Sequence, residues 1–334
     1  MPTRRRALLS LAALIGLALL SLLVALAAGS LPVSAADIVG ALSGNRGGLA
    51  VEVINGLRLP RALAAFACGG LLALAGALMQ VLLRNPLADP YVLGISGGAA
   101  VGALSAMLAG LTLALMNLAA FAGALAAMLL VFGLAHGDSS WTRSRLLLTG
   151  VIVAAGCGAF VALILSIAPE EGLHGMLFWL MGDLGQAISP WPALVVLALG
   201  LAATLPFARE LNLLARGDTL AQALGVSVNQ VKRGIYVLAS LLTAVAVTTA
   251  GSIGFIGLVV PHLVRLAMIR LGWGSDQRLL LPAAVLFGGS LLVLADTLAR
   301  TVIAPQQLPV GVLTALLGVP VFLFLLGRQP SECE

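Results

Sequence analysis

Residues 57–102 read LRLPRALAAFACGGLLALAGALMQVLLRNPLADPYVLGISGGAAVG. Arg58 and Arg61 stand at the head of an apolar run that ends on Arg84. A polar, proline-bracketed turn (Asn85 to Pro90) follows, and then a second apolar run carrying Gly94, Gly97, Gly98 and Gly102. About 20 apolar residues are enough to cross the hydrocarbon layer as a helix. The stretch is therefore a membrane hairpin with cations at both ends, one cationic end more than topology requires.

The rest of the chain agrees. Of its 334 residues 60% are hydrophobic and 9% charged, where a soluble domain carries roughly 25% charged residues. A transmembrane β-barrel would alternate apolar and polar side chains. These runs are apolar on every side, so the expected fold is all-α and polytopic. Apolar runs fall at 7–28, 60–83, 91–108, 111–135, 146–168, 190–208, 234–251, 253–269, 279–299 and 309–327, which predicts about ten transmembrane helices in a single membrane domain covering 1–334. Arg4, Arg5 and Arg6 before the first run resemble a signal peptide, but the run is longer than a 7–15-residue signal core, and a retained first helix is expected.

Ten spans put both termini on one side. With the amino terminus in the cytoplasm, fourteen of the eighteen cations lie at or near the inner face, and only Arg46, Arg58, Arg61 and Arg300 lie outside. This asymmetry is the positive-inside pattern; it accounts for the net charge of +5 without a nucleic-acid partner. Cys68, Cys157 and Cys333 show no paired or ligand-like spacing, so neither a disulfide framework nor a metal site is expected.

Two connections are longer than turns. The outward segment 169–189 holds a short apolar piece, Met176–Met181, which predicts a short helix at the outer surface or dipping into a vestibule. The inward segment 209–233 is polar. Asp218 or Thr219 can cap a short helix stopping at Gly225, and Ser227 to Gln230 has capping-box spacing. Two short helices there suit a docking surface. Most glycines in the runs read as helix-packing positions; Gly311, Gly318 and Pro320 could bend the last helix.

Catalysis by this chain is not expected. It has no GxxxxGK[ST], GxSxG or HExxH motif, and His136, His174 and His262 are scattered. Asp296 and Arg300 have the spacing of a helical ion pair near an outer end, but no acidic residue is placed mid-membrane, where an ion- or proton-driven carrier needs one. A polytopic body with an inner docking loop, an outer arginine group and no energy source of its own describes the membrane half of a pump powered by a separate ATPase. A secondary transporter and a membrane-embedded enzyme are the rival classes.

These residues resemble the permease family of binding-protein-dependent ABC importers for iron chelates (ferric siderophores, haem) and cobalamin. The resemblance is carried by LRLPRALA (57–64), GALMQVLLRNPLADPYVLGISGGAAVGA (76–103), RLLLTGV (145–151), FWLMGDL (178–184), ALGVSV (223–228), GSIGFIGLVVPHLVRL (251–266) and LPVGVLTALLGVPVF (308–322). It implies a homodimer of ten-helix permeases in the bacterial inner membrane, two cytoplasmic ATPase subunits that hold the ATP and magnesium, and a periplasmic binding protein; no cofactor on this chain is implied. It further implies that Arg58, Arg61 and Arg300 meet acidic residues of the binding protein. The ATPase would be coupled through Gly217, Asp218, Thr219, Ala221, Gln222, Leu224, Gly225 and Val226, and the cytoplasmic gate built from Asn85, Leu87, Arg143 and Ser144. Two departures stand out: Arg143 occupies a position where the family has a small polar residue, and Asp183 one where it has a small hydroxyl residue. Iron chelates, haem included, rank above cobalamin as expected cargo.

Overall fold

The computed structural model describes residues 4–29, 31–44, 48–135, 143–185, 189–304 and 306–326. Arg46, His136, Arg328 and Cys333 lie outside them. All regular structure among the described residues is helical. In chain order the α-helices are α1 (Arg4–Ala27), α2 (Ala35–Leu42), α3 (Leu49–Val53), α4 (Leu59–Leu83), α5 (Ile95–Leu108), α6 (Leu113–Ala135), α7 (Arg143–Ile167), α8 (Glu170–Met181), α9 (Trp191–Thr204), α10 (Ala208–Arg216), α11 (Asp218–Ala223), α12 (Val228–Ala250), α13 (Ile256–Arg270), α14 (Gln277–Ala299) and α15 (Val310–Leu326). Each of the ten apolar runs is helical. Seven helical stretches are long and apolar enough to cross a membrane, while α5, α13 and α15 are shorter, at 14, 15 and 17 residues.

The shorter helices have a physical cause. At 1.5 Å per residue α5 is only about 21 Å long, less than the ~30 Å core, and the 3-10 turn Pro90–Leu93 extends it. Irregular backbone is tolerated in a membrane protein only where its polar groups find partners. Here the Asp89 carboxylate accepts the Tyr91 N–H at 2.7 Å, and the Tyr91 hydroxyl accepts the Ile253 N–H at 3.1 Å from the non-helical 251–255 segment before α13.

The hairpin that opens the sequence is the centre of the molecule. Helix α4 is buried along almost its whole length and packs against α14, α12, α13 and α9. Its glycines permit this: a methyl group at Gly69 would run into the Gly288 carbonyl, and one at Gly76 into the Gly257 carbonyl. Lipid offers no hydrophobic drive between helices, so close backbone approach takes its place. Gly311 and Gly318 are also close-packing positions, on α15. Gly311 faces the carbonyls of Met181 and Ser252, and Gly318 faces the Phe255 side chain, whose backbone holds a left-handed φ of 70°.

Both long connections contain the short helices expected of them. Outside, α8 follows Pro169 with Glu170 and Glu171 in its first turn, where acidic groups favour the helix dipole. Inside, α11 lies between Gly217 (φ 141°) and Gly225 (φ 82°). The capping expectations need correction. Gly217 is the cap of α11, and neither it nor Ser227, which precedes α12, makes a side-chain cap bond. The Asp218 carboxylate is engaged elsewhere.

Candidate functional site

Charged groups gather at the two ends of α4. At the outer end Arg58 is 5% exposed. Its guanidinium donates to the carbonyls of Leu26 (2.7 Å), Ala27 (3.2 Å) and Leu31 (2.6 Å), and Arg300 donates to the carbonyl of Ala25. The last carbonyls of a helix have no partner within it, and cations are favoured at that end. Two arginines distant in sequence thus cap α1, and Gly29 leaves room for the Arg58 fork.

Arg61 turns the other way. Its Nε and Nη2 reach the Asp296 carboxylate, the shorter ion-pair distance being 2.8 Å, and its Nη1 donates to Gln307 Oε1 at 2.9 Å. Arg300 Nε lies 3.8 Å from the other Asp296 oxygen. The helical Asp296–Arg300 pair read from spacing is therefore the looser of two contacts, and the tighter one comes from Arg61, 235 positions away in the chain. Asp183 stands 4.0 Å from Arg61 and is only partly exposed; its Oδ1 accepts the Gly185 N–H at 2.7 Å. All three arginines expected to face a partner are thus largely covered and bound within the chain. Arg61, at 15% side-chain exposure, is the most open of them.

At the inner end the arrangement is more open. Asp218, first residue of α11, receives Lys232 Nζ from α12 at 2.7 Å and Arg143 Nη2 from the start of α7 at 3.1 Å. Arg84, the left-handed residue that closes α4, brings its guanidinium beside Gly217. Burial would push the Asp218 carboxyl up; the Lys232 hydrogen bond and the charges of Lys232, Arg143 and Arg84 outweigh it and hold the carboxyl below the usual range. One carboxylate of the inner loop is thereby joined to a residue of the expected gate. Asn85 shapes the neighbouring turn by accepting the Leu87 N–H at 2.9 Å. Leu87 is half-buried, while Asn85 and Ser144 are exposed. Of the other expected coupling residues, Ala221 packs inward and Thr219, Gln222 and Val226 are half-buried or exposed, with Leu224 and Gly225 presented outward.

Sequence reasoning missed the Arg61–Asp296 contact and the parts of Gln307 and Lys232 in these clusters. Asp296 carried a signal, a lone acid within an apolar run, but its partner on another helix did not. His174 stacks on Phe178 at a ring distance of 4.4 Å on α8, and His262 is buried in α13. No group of three or more potential metal ligands occurs among the described residues.

A bundle of this kind, with charged groups gathered at the two ends of one central helix, defines a multi-pass membrane protein. The chain belongs to the FecCD transport family, whose model matches residues 17–328. It is 46% identical over 289 residues to the hemin transport system permease protein HmuU of Yersinia pestis, covering 83% of each chain. It is 42% identical over 279 residues to the cobalamin import system permease protein BtuC of Halobacterium salinarum, covering 82% of this chain and 73% of the relative. A solved structure described as an inward-facing conformation of a metal-chelate type ABC transporter superposes with a TM-score of 0.82 at 30% identity, covering 97% of this chain and all of the other. The resemblance drawn from the sequence motifs is thus confirmed.

Proposed function

We propose that this chain is the permease of an ATP-driven importer of the bacterial inner membrane that takes an iron chelate, haem or a ferric siderophore, from a periplasmic binding protein. Cobalamin is the alternative cargo within the same family. Two copies form the pathway, and two cytoplasmic ATPase subunits, which hold the ATP and magnesium, drive it.

One observation carries the mechanism: α11 is ion-paired through Asp218 to the start of α7 and to α12, and lies beside the end of α4. A displacement of the 217–226 loop by the ATPase is thereby felt at Arg143 and Ser144 and at Asn85 and Leu87, the two connections that close the cytoplasmic side. Asp218 is the hinge of that linkage. Its pair with Arg143 is about one-third exposed on both sides, so that contact is weak enough to exchange during a cycle, while Lys232, 7% exposed, stays with it. Outside, the binding protein docks on the rim around Arg61, the most open of the three arginines, whose guanidinium can meet an external carboxylate while keeping its bond to Asp296. Arg58 and Arg300 act from behind by fixing the end of α1. The buried acid of the outer cluster is already paired with two arginines, which disfavours a stand-alone proton- or sodium-driven carrier.

The test is reconstitution in vesicles with the neighbouring ATPase and binding protein. Uptake that requires both ATP and binding protein is expected; uptake driven by an ion gradient alone would contradict the reading. The ligand that co-purifies with the binding protein, identified by its absorption spectrum, decides between iron chelate and cobalamin.

A further inference from the structure

Helix α1 packs chiefly on α14 and leaves a cavity of about 730 Å³ between itself, α13 and α14. Its walls are apolar: Leu14, Val264, Ala267, Met268, Ala283 and Phe287 are among them. The one polar group supplied by α1, the Ser10 hydroxyl, donates to its own helix at the Ala7 carbonyl and offers nothing to a ligand. Among the described residues no acidic one lines the cavity.

One end of it is different. Arg270, the last residue of α13, lies on the wall, is exposed, and has no hydrogen-bond or ion-pair partner among the described residues. Immediately beyond it the chain folds back. Gly272 adopts φ 71° and the Trp273 N–H donates to the Met268 carbonyl at 2.9 Å, a helix-ending turn whose hallmark is an apolar contact between those two residues. Trp273 is thereby laid against the cavity mouth. Arg6 stands one helical turn before Ser10 on the same stripe of α1, and it too is exposed. Two free arginines and a tryptophan therefore frame the inner-face end of an apolar slot. Tryptophan belongs at the membrane–water boundary, and the cytoplasmic leaflet is the anionic one.

We infer that this groove is a binding site for an anionic phospholipid of the cytoplasmic leaflet. An acyl chain lies along α13 and α14 under α1, and the phosphate is held by Arg270 and Arg6. The inference depends on the membrane reading and on charge complementarity, not on the transport reading, so it stands or falls separately from it.

The experiment is retention of lipid by the full-length purified protein, read by native mass spectrometry after equilibration with equal amounts of phosphatidylglycerol and phosphatidylcholine. Wild type is expected to retain phosphatidylglycerol in preference. Each surface arginine contributes roughly a fivefold preference, so Arg270→Gln and Arg6→Gln together should erase it while leaving phosphatidylcholine retention unchanged. Ala13→Phe, a change on the exposed side of α1 that fills the groove, should lower retention of both lipids. Equal retention of the two lipids by wild type would overturn the site, as would an undiminished preference in the double arginine variant. Occupation by a helix of a second copy would show as loss of the dimer in Ala13→Phe with lipid retention intact, and would also overturn it.

Discussion

The two ends of α4 carry nearly the same charges in opposite settings. Outside, Arg61 and Arg300 flank the carboxylate of Asp296, which is 2% exposed, with Asp183 4.0 Å from Arg61, while Arg58 and Arg300 occupy the end of α1. Inside, Arg84, Arg143 and Lys232 surround the single carboxylate Asp218, whose side chain is 34% exposed. Burial decides what each can do. A buried charge left without its partner is severely penalised, so the outer cluster is a fixed joint. The Arg143–Asp218 pair is about one-third exposed on both sides and such pairs are worth little, so that contact can be rearranged by a modest force while the buried Lys232 keeps its hold on Asp218. One helix thus links an end that holds shape to an end that can move.

The largest effect should come from breaking the fixed end. Asp296→Ala leaves Arg61 and Arg300 covered and without their acid, and should cost about 3–5 kcal/mol, read as a large fall in the melting temperature of the detergent-solubilised protein. A variant as stable as wild type would remove the distinction between the ends. Next in size is Arg61→Glu. It should weaken binding-protein affinity roughly tenfold at low ionic strength, and the gap from wild type should narrow as salt rises; a salt-independent affinity would place docking elsewhere. At the inner end Arg143→Ser, which removes only the pair that is about one-third exposed on both sides, should change stability by less than about 1 kcal/mol, several times less than Asp296→Ala.

The smallest effect is in pH. The Asp218 carboxyl is held below its ordinary value, so its contribution is fully present above the unfolded value of about 4 and fades as pH falls through the lowered folded value. The difference in melting temperature between wild type and Asp218→Asn should therefore be flat from about pH 5 to 8 and vanish in stronger acid. A difference that grows on acidification would reverse the sign assigned to the cluster.

Much of this architecture was legible before the structure. Hydropathy is a local property, and each of the ten runs is a helix. Charge asymmetry between connections also reads locally, and it isolated Arg58, Arg61 and Arg300. The partners of those arginines were not legible. Arg61 meets Asp296 only because α4 and α14 cross at Gly69 and Gly288, a packing fact that no window of sequence contains. The same holds for Asp218, whose sequence context suggested a helix cap until Lys232 and Arg143 converged on it. Capping preferences are short-range and modest, and two nearby cations outweigh them. The departure at Arg143 was visible in the sequence; that it pairs with Asp218 of the inner loop was not.

The central claim is that the movable end passes force from the inner loop to the gate through Asp218. The most direct test is the number of cargo molecules moved per ATP hydrolysed, in vesicles, for Arg143→Ser, Asp218→Asn and the double variant, each assembled with the ATPase. Each single change should lower the ratio roughly fivefold or more while hydrolysis continues, and the double variant should be no worse than the more impaired single one. Losses that multiply in the double variant, or a ratio unchanged in both singles, would contradict the account.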